Sequence, residues 1–353
     1  MRVPAWFAVA VFLASPGASA APVLADSSLG SLTPVIQASS ALPRIDGLTF
    51  DSSGRLFAAL ETLDSRSGVV FLDKTSGAVE WWRFVPGADQ VEFGPSGDLF
   101  VTSELPATIS GFPAGGVYRV PVSADASGMP SAGTPVRIAT TPTEAGNPEG
   151  LVVLKSAGAY GSAGDFLLAE DAFGGRILRL AVTGDAAGTL SEIASASASL
   201  ARPEGLAFGD FAGAAAPALY AAETAAHRVL RVAADGTLST LGDPQSFGLQ
   251  WPDNLEFGPD GFLYVTEDLI SGGRIVRIAA DGTHSVFATG FAKPAGIAFD
   301  PVTGDLYIAE QEAASLWRVR FASPVPEPGT WASLAAGLAL LWPVVRSRHP
   351  AVP

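Results

Sequence analysis

The sequence predicts an all-β protein, a six-bladed β-propeller of four-stranded antiparallel blades whose last blade is closed by an N-terminal strand. Three observations carry this expectation. One phrase recurs along the chain: a turn, an acidic residue, a small residue, then an apolar strand. It stands at Asp46-Gly47-Leu48, Asp89-Gln90-Val91, Glu149-Gly150-Leu151, Glu204-Gly205-Leu206 and Asp253-Asn254-Leu255, and in altered form at Ala295-Gly296-Ile297. Successive copies start about 42 to 60 residues apart, which is blade spacing. Composition agrees: of 353 residues 39 are Gly and 27 Pro, 48% are hydrophobic and only 16% charged, a profile of short strands and many turns.

Within each copy the elements follow in order. After the phrase comes a Gly-bearing turn, as at Gly54, Gly97, Gly261 and Gly304, and then an alternating second strand beginning at Leu56, Leu99, Phe166, Leu219, Leu263 or Leu306. A third strand alternates again, from Gly68, Gly116, Arg176, Arg228, Arg274 or Leu316. Period-two alternation between glycine turns marks half-buried strands. Asp235-Gly236 and Asp281-Gly282 turn the chain into a fourth strand, because such dipeptides supply the positive φ of tight hairpins. The sixth copy stops after its third strand, Leu316 to Arg320. Leu32 to Ala38 is a β-like stretch without a blade of its own, so it is expected to complete blade six and remove an exposed sheet edge.

The domain plan is a signal peptide over 1–20, a linker over 21–30, the propeller over 31–322 and a tail over 323–353. Arg2, the apolar run Ala5 to Leu13 and Ala18-Ser19-Ala20 have the charge, hydrophobicity and small-residue cleavage pattern of a secretion signal. The tail has Val325-Pro326-Glu327-Pro328-Gly329-Thr330, an apolar stretch from Trp331 to Val345 and then Arg346 and Arg348. These parts in this order resemble the PEP-CTERM sorting signal of Gram-negative bacteria. The resemblance implies recognition at Pro326, Glu327 and Pro328 by an exosortase, transient inner-membrane anchoring, tail removal, and delivery to the cell surface or an extracellular polysaccharide matrix. An ordinary anchor helix is the alternative reading.

Charge narrows the partners. Lys+Arg 21 against Asp+Glu 35 gives a formal net charge of −14, which argues against nucleic acid, since phosphate binding needs a basic face. It suits divalent cations. The chain has no cysteine, so disulfides, thiol nucleophiles and Cys-bearing zinc sites are excluded. The histidines, His227, His284 and His349, lie away from the recurring phrase.

The innermost strand of a blade borders the central channel, so equivalent positions form a ring. The acidic position gives Asp46, Asp89, Glu149, Glu204 and Asp253, broken at Ala295. Unpaired carboxylates on one axis repel, and Ca²⁺, which prefers hard oxygen ligands, would relieve that. Equally, they can cap loop N–H groups or face channel water. A second acidic set stands at the end of the second strand: Glu61, Glu104, Glu170, Glu223, Glu267 and Glu310. Three of these precede an arginine that opens the next strand, predicting ion pairs Glu170–Arg176, Glu223–Arg228 and Glu267–Arg274. Glu61, Glu104 and Glu310 have no such partner and are candidates for ligand contact, with Asp171 and Asp268 at the same rim.

The repeats resemble NHL-type and senescence-marker-protein/gluconolactonase-type six-bladed propellers, most closely around Arg202 to Thr237 and Trp251 to Thr283. The latter segment is also similar to a stretch of PhoX-type alkaline phosphatases, without that family's cysteine ligand. In gluconolactonase-like propellers, loop-to-strand positions hold a catalytic Ca²⁺ with Glu, Asn and Asp. The resemblance implies Asp46, Glu149, Glu204 and Asp253 as the metal set here. It departs from the family in offering only Asn254, one place later. Two functions stay open: a calcium-stabilised binding module for an exopolysaccharide or surface-protein partner, and a Ca²⁺-dependent hydrolase of lactones or phosphoesters.

Overall fold

The computed structural model describes residues 21–37, 42–104, 108–113, 115–139, 147–171, 174–182, 188–195, 200–212, 214, 216–242 and 248–322. The signal-peptide region, the sorting tail and Ala38 lie outside the described residues. Six antiparallel blades of four strands follow one another along the chain, blade five being extended by a fifth, short strand. Their inner strands are Ile45–Phe50, Ala88–Phe93, Pro148–Val153, Pro203–Gly209, Pro252–Phe257 and Pro294–Phe299, in blades one to six. Each pairs with a second strand: Leu56–Leu60, Leu99–Ser103, Phe166–Glu170, Ala218–Glu223, Leu263–Glu267 or Leu306–Glu310. Blade six is completed by Gly30–Ile36, which pairs antiparallel with Ser315–Phe321, Leu32 opposite Val319. The ring is therefore closed by its N-terminal strand. Residues 21–30, read from the sequence as a linker, carry Val23–Leu24, which adds to blade five opposite Thr289 and Ala288.

Aromatic side chains bind blade to blade. The second strand of one blade presents a ring to the inner strand of the next: Phe57 to Phe93 at 5.0 Å, Tyr220 to Phe257 at 5.5 Å and Tyr264 to Phe299 at 5.2 Å between centroids. Tyr307 meets Phe50 at 5.1 Å, carrying the pattern across the closure. Such pairs add about 0.5–1.5 kcal/mol each beyond area burial.

Nearer the axis the chain uses glycine for a different reason. A Cβ on Gly296 would stand 1.8 Å from the Asp46 carbonyl oxygen, one on Gly150 2.2 Å from that of Glu204, and one on Gly205 2.4 Å from that of Asp253. The small residue of the recurring phrase is thus the place where neighbouring inner strands touch. All six inner strands shift register just there, between Ile45 and Leu48 in blade one and at the matching places elsewhere. A bulge re-aims a side chain, and here the affected residue is the acidic one.

Candidate functional site: an acidic channel mouth

Three positions of the repeat meet at the end of the channel where the inner strands begin. The residue before each inner strand is Arg44, Gly87, Asn147, Arg202, Trp251 or Lys293. The acidic position follows two places later, and the residue just after the second strand completes the set: Glu61, Glu104, Asp171, Thr224, Asp268 and Gln311. Asp46, Glu61, Asp89, Glu104, Glu149, Glu204 and Asp253 all line one cavity of about 150 Å³. Asp46 and Asp89 are only 4% and 6% exposed.

Burial, and then the neighbouring carboxylates, push Asp46, Asp89, Glu149 and Asp253 well above the ordinary carboxylate range. Burial also raises Glu104 to about 7 and Glu204 to about 8. Positive charge compensates part of the ring. Arg44 pairs with Glu61 at 2.8 Å. Arg202 forms a two-pronged pair with Asp171 and reaches Glu204 at 3.2 Å. Lys293 lies 3.3 Å from Asp268 and donates to Gln311 Oε1 at 2.9 Å, and the Gln311 amide in turn donates to Asp46 and Glu61. The sector of blades two and three is different. Asp89, Glu104 and Glu149 line the mouth there without an ion pair among the described residues, and Glu149 accepts from the Asn147 amide at 2.8 Å.

The second acidic set divides into two. The expected ion pairs of Glu170 with Arg176, Glu223 with Arg228 and Glu267 with Arg274 are present, each joining residues directly opposite across a hairpin. Glu310 belongs with these three. It is 4% exposed, accepts the Ala292 N–H at 2.7 Å, and is bonded to the Ser315 hydroxyl and the Trp317 indole N–H. Its role as a ligand-contact candidate is corrected accordingly: blade six supplies a hydroxyl and an indole where other blades supply arginine. Glu61 and Glu104 lie one place further on, since their strands end at Leu60 and Ser103, so they enter the mouth with Asp268, while Asp171 stands beside Glu149 and Glu204. Pairing register separates the two classes: Glu170, Glu223, Glu267 and Glu310 lie opposite Arg176, Arg228, Arg274 and Ser315, a place that Leu60 and Ser103 hold in blades one and two. The sequence reading missed Arg44, Arg202, Lys293 and Gln311; their signal was their fixed place immediately before the inner strand or after the second.

Asn254 sits deeper. Its Oδ1 accepts the Leu255 N–H at 3.0 Å, and it lines the chamber beneath the mouth together with Gln90. Of the four residues expected as metal ligands, Glu149 and Glu204 join Asp171 in a set whose ligand oxygens all lie within 4.8 Å of one another. Asp46 and Asp253 stand elsewhere around the same mouth. This all-oxygen donor set has the chemistry a calcium ion requires, although Arg202 already occupies both oxygens of Asp171.

No family model matches the chain, and no curated protein matches it. Solved structures do. A gluconolactonase from Xanthomonas campestris is similar with a TM-score of 0.58 at 14% identity, over 87% of this chain and 99% of that one. A calcium-binding protein, regucalcin, from Agrobacterium tumefaciens gives 0.58 at 14% identity, over 85% and 97%. A catalytically inactive virginiamycin B lyase from Staphylococcus aureus, solved with quinupristin, gives 0.52 at 13% identity, over 82% and 99%. At these identities the likeness shows the shared propeller fold.

Proposed function

We propose that the protein is an exported, surface- or matrix-targeted propeller that acts as a calcium-stabilised binding module, with the ion held at the channel mouth by Glu149 and Glu204 and completed by carboxylates of the same ring. The observation that carries this reading is the gathering of Asp89, Glu104 and Glu149 at one mouth, acids raised by burial with no ion pair among the described residues. A divalent cation among them would remove the repulsion. The calcium-binding regucalcin neighbour supports it at the level of fold. Export and surface sorting rest on the two terminal segments, with an exosortase as the processing partner and an exopolysaccharide or surface protein as the bound one.

The test is calorimetric. Calcium added to chelator-treated protein should raise the melting temperature, since a ligand specific for the native state stabilises by about 2.7 kcal/mol at a hundredfold excess over Kd. The double change Glu149→Gln and Glu204→Gln should remove most of that rise. Magnesium should replace calcium poorly, because it demands near-octahedral geometry at shorter distances. A melting curve indifferent to calcium and chelator would sink the proposal.

The fold likeness to a gluconolactonase favours a second reading, a Ca²⁺-dependent hydrolase of lactones or phosphoesters. When bound, calcium would polarise a carbonyl or phosphoryl oxygen. Lactone and phosphoester turnover that disappears with chelator and with Glu149→Gln would establish this reading over the first.

A further inference from the structure

The other end of the channel is built differently. Glu92 stands three residues beyond Asp89 on the inner strand of blade two, roughly 10 Å further along at 3.3 Å per residue. A cavity of about 500 Å³ opens there, within the size range of small-molecule sites. Phe50, Phe93, Pro95 and Val153 give it apolar walls, and Glu92 and Lys155 line it. Behind it, the same Glu92 and Lys155 border the chamber that also holds Glu256.

Lys155 is placed by a feature blade three does not share with blade two. Its inner and second strands are joined through residues 154–165, a connection much longer than the 94–98 turn. Leu154, 1% exposed, is pinned by bonds from its N–H to Asp165 O and from the Gly164 N–H to its own carbonyl, both 2.8 Å. Tyr160 fastens the loop by donating to Val232 O at 2.7 Å and packing edge-on against Phe208. Lys155 therefore projects from a fixed point.

The charges at this cavity are opposite and separate. Among the described residues no ion pair joins Lys155 to Glu92, and no hydrogen bond engages the Lys155 ammonium. Glu92 receives the Thr49 hydroxyl at 3.2 Å on Oε2. Asp51, the other carboxylate of the wall, is already occupied by the Ser53 and Arg55 N–H groups at 2.9 Å and by the Arg55 guanidinium. The cavity thus sets Lys155, with no ion pair or hydrogen bond among the described residues, and Glu92, held by one hydroxyl, beside an apolar wall, with Glu256 behind them.

We propose that this cavity binds a small zwitterion with an apolar body, an apolar α-amino acid or short apolar peptide, whose carboxylate meets Lys155, whose ammonium meets Glu92 and whose side chain lies against Phe50 and Phe93. The site is separate from the calcium proposal and is tested with calcium saturating.

The experiment titrates L-phenylalanine and the dipeptide Phe-Phe into the full chain by calorimetry, beside N-acetylphenylalanine and phenylalaninamide, which keep one charge each. Saturable binding of at least one zwitterion is expected, weakened about tenfold or more in each singly charged analogue and in Lys155→Met, since a hydrogen bond to a charged group contributes about 1.5–3 kcal/mol. Lys155 is exposed, so that variant should retain the wild-type melting temperature; Glu92→Gln serves as the second variant and should weaken phenylalanine more than N-acetylphenylalanine. Absence of saturable binding by both zwitterions, equal binding of the singly charged analogues, or full affinity in Lys155→Met would each overturn the proposal.

Discussion

Glu223 and Glu267 have fully buried side chains, yet their oxygens are employed. In each, one oxygen accepts a loop N–H, from Ala201 at 2.7 Å or Gln250 at 2.8 Å, and the other meets the arginine that opens the next strand. These pins fasten each loop to its blade, just ahead of the residue that enters the mouth. Arg228→Met should therefore leave a buried, uncompensated carboxylate and cost about 3–5 kcal/mol in a urea unfolding series. Adding Glu223→Gln should recover part of the loss, because a neutral amide needs no counter-charge. The arginine partners were legible in the sequence because an acidic residue and a basic one flank a short turn. Glu61, Glu104 and Glu310 form one set in the sequence because none precedes an arginine that opens the next strand, yet Glu310 ends its strand opposite Ser315 while Glu61 and Glu104 lie one place beyond theirs. Residue type masked a one-place offset that only strand register reveals.

At the scale of elements, the recurring phrase was readable because three constraints act on three consecutive residues: a bulge that turns an acid into the channel, a glycine against the next blade's carbonyl, and an apolar residue that resumes the strand. The closing strand was readable for a related reason, a sixth copy lacking its fourth strand and a β-like stretch lacking a blade. The pairing of Val23–Leu24 with blade five was not, nor were the small hairpins of Thr108–Ile109 with Phe112–Pro113 and of Val122–Ala124 with Pro130–Ala132. Two or three residues contain too little alternation to register as a period. Deleting 30–36 should strip the outer edge of Ser315–Phe321 and expose Leu316 and Val319, both fully buried now. Size-exclusion chromatography should then show aggregation; a monomer with wild-type melting behaviour would mean that the pairing contributes nothing to the closed ring.

For the whole molecule, the mouth concentrates buried acid at one end of the channel while the cavity at the other end joins a lysine to apolar walls, so the two faces should differ in what they attract. The candidate mouth was only partly legible, since convergence of carboxylates follows from repeat position but the intervening Arg44, Arg202 and Lys293 follow from the third dimension. The proposed sorting route makes its own prediction. In a host with an exosortase, Glu327→Ala should leave an unprocessed, membrane-associated form on immunoblots of cell fractions, and normal release of that variant would reduce the tail to a plain anchor.

Blade six is made from the first and last strands of the propeller, Gly30–Ile36 and Ser315–Phe321, and the Ala322 N–H even bonds back to Leu29 O at 2.9 Å. That arrangement imposes an order in time. At a synthesis rate of about 5–20 residues per second, the opening strand waits roughly 15 to 60 s for its partner to be made. Throughout that interval no complete ring can exist, so ring closure cannot precede the end of synthesis, when the chain has been made almost to its tail.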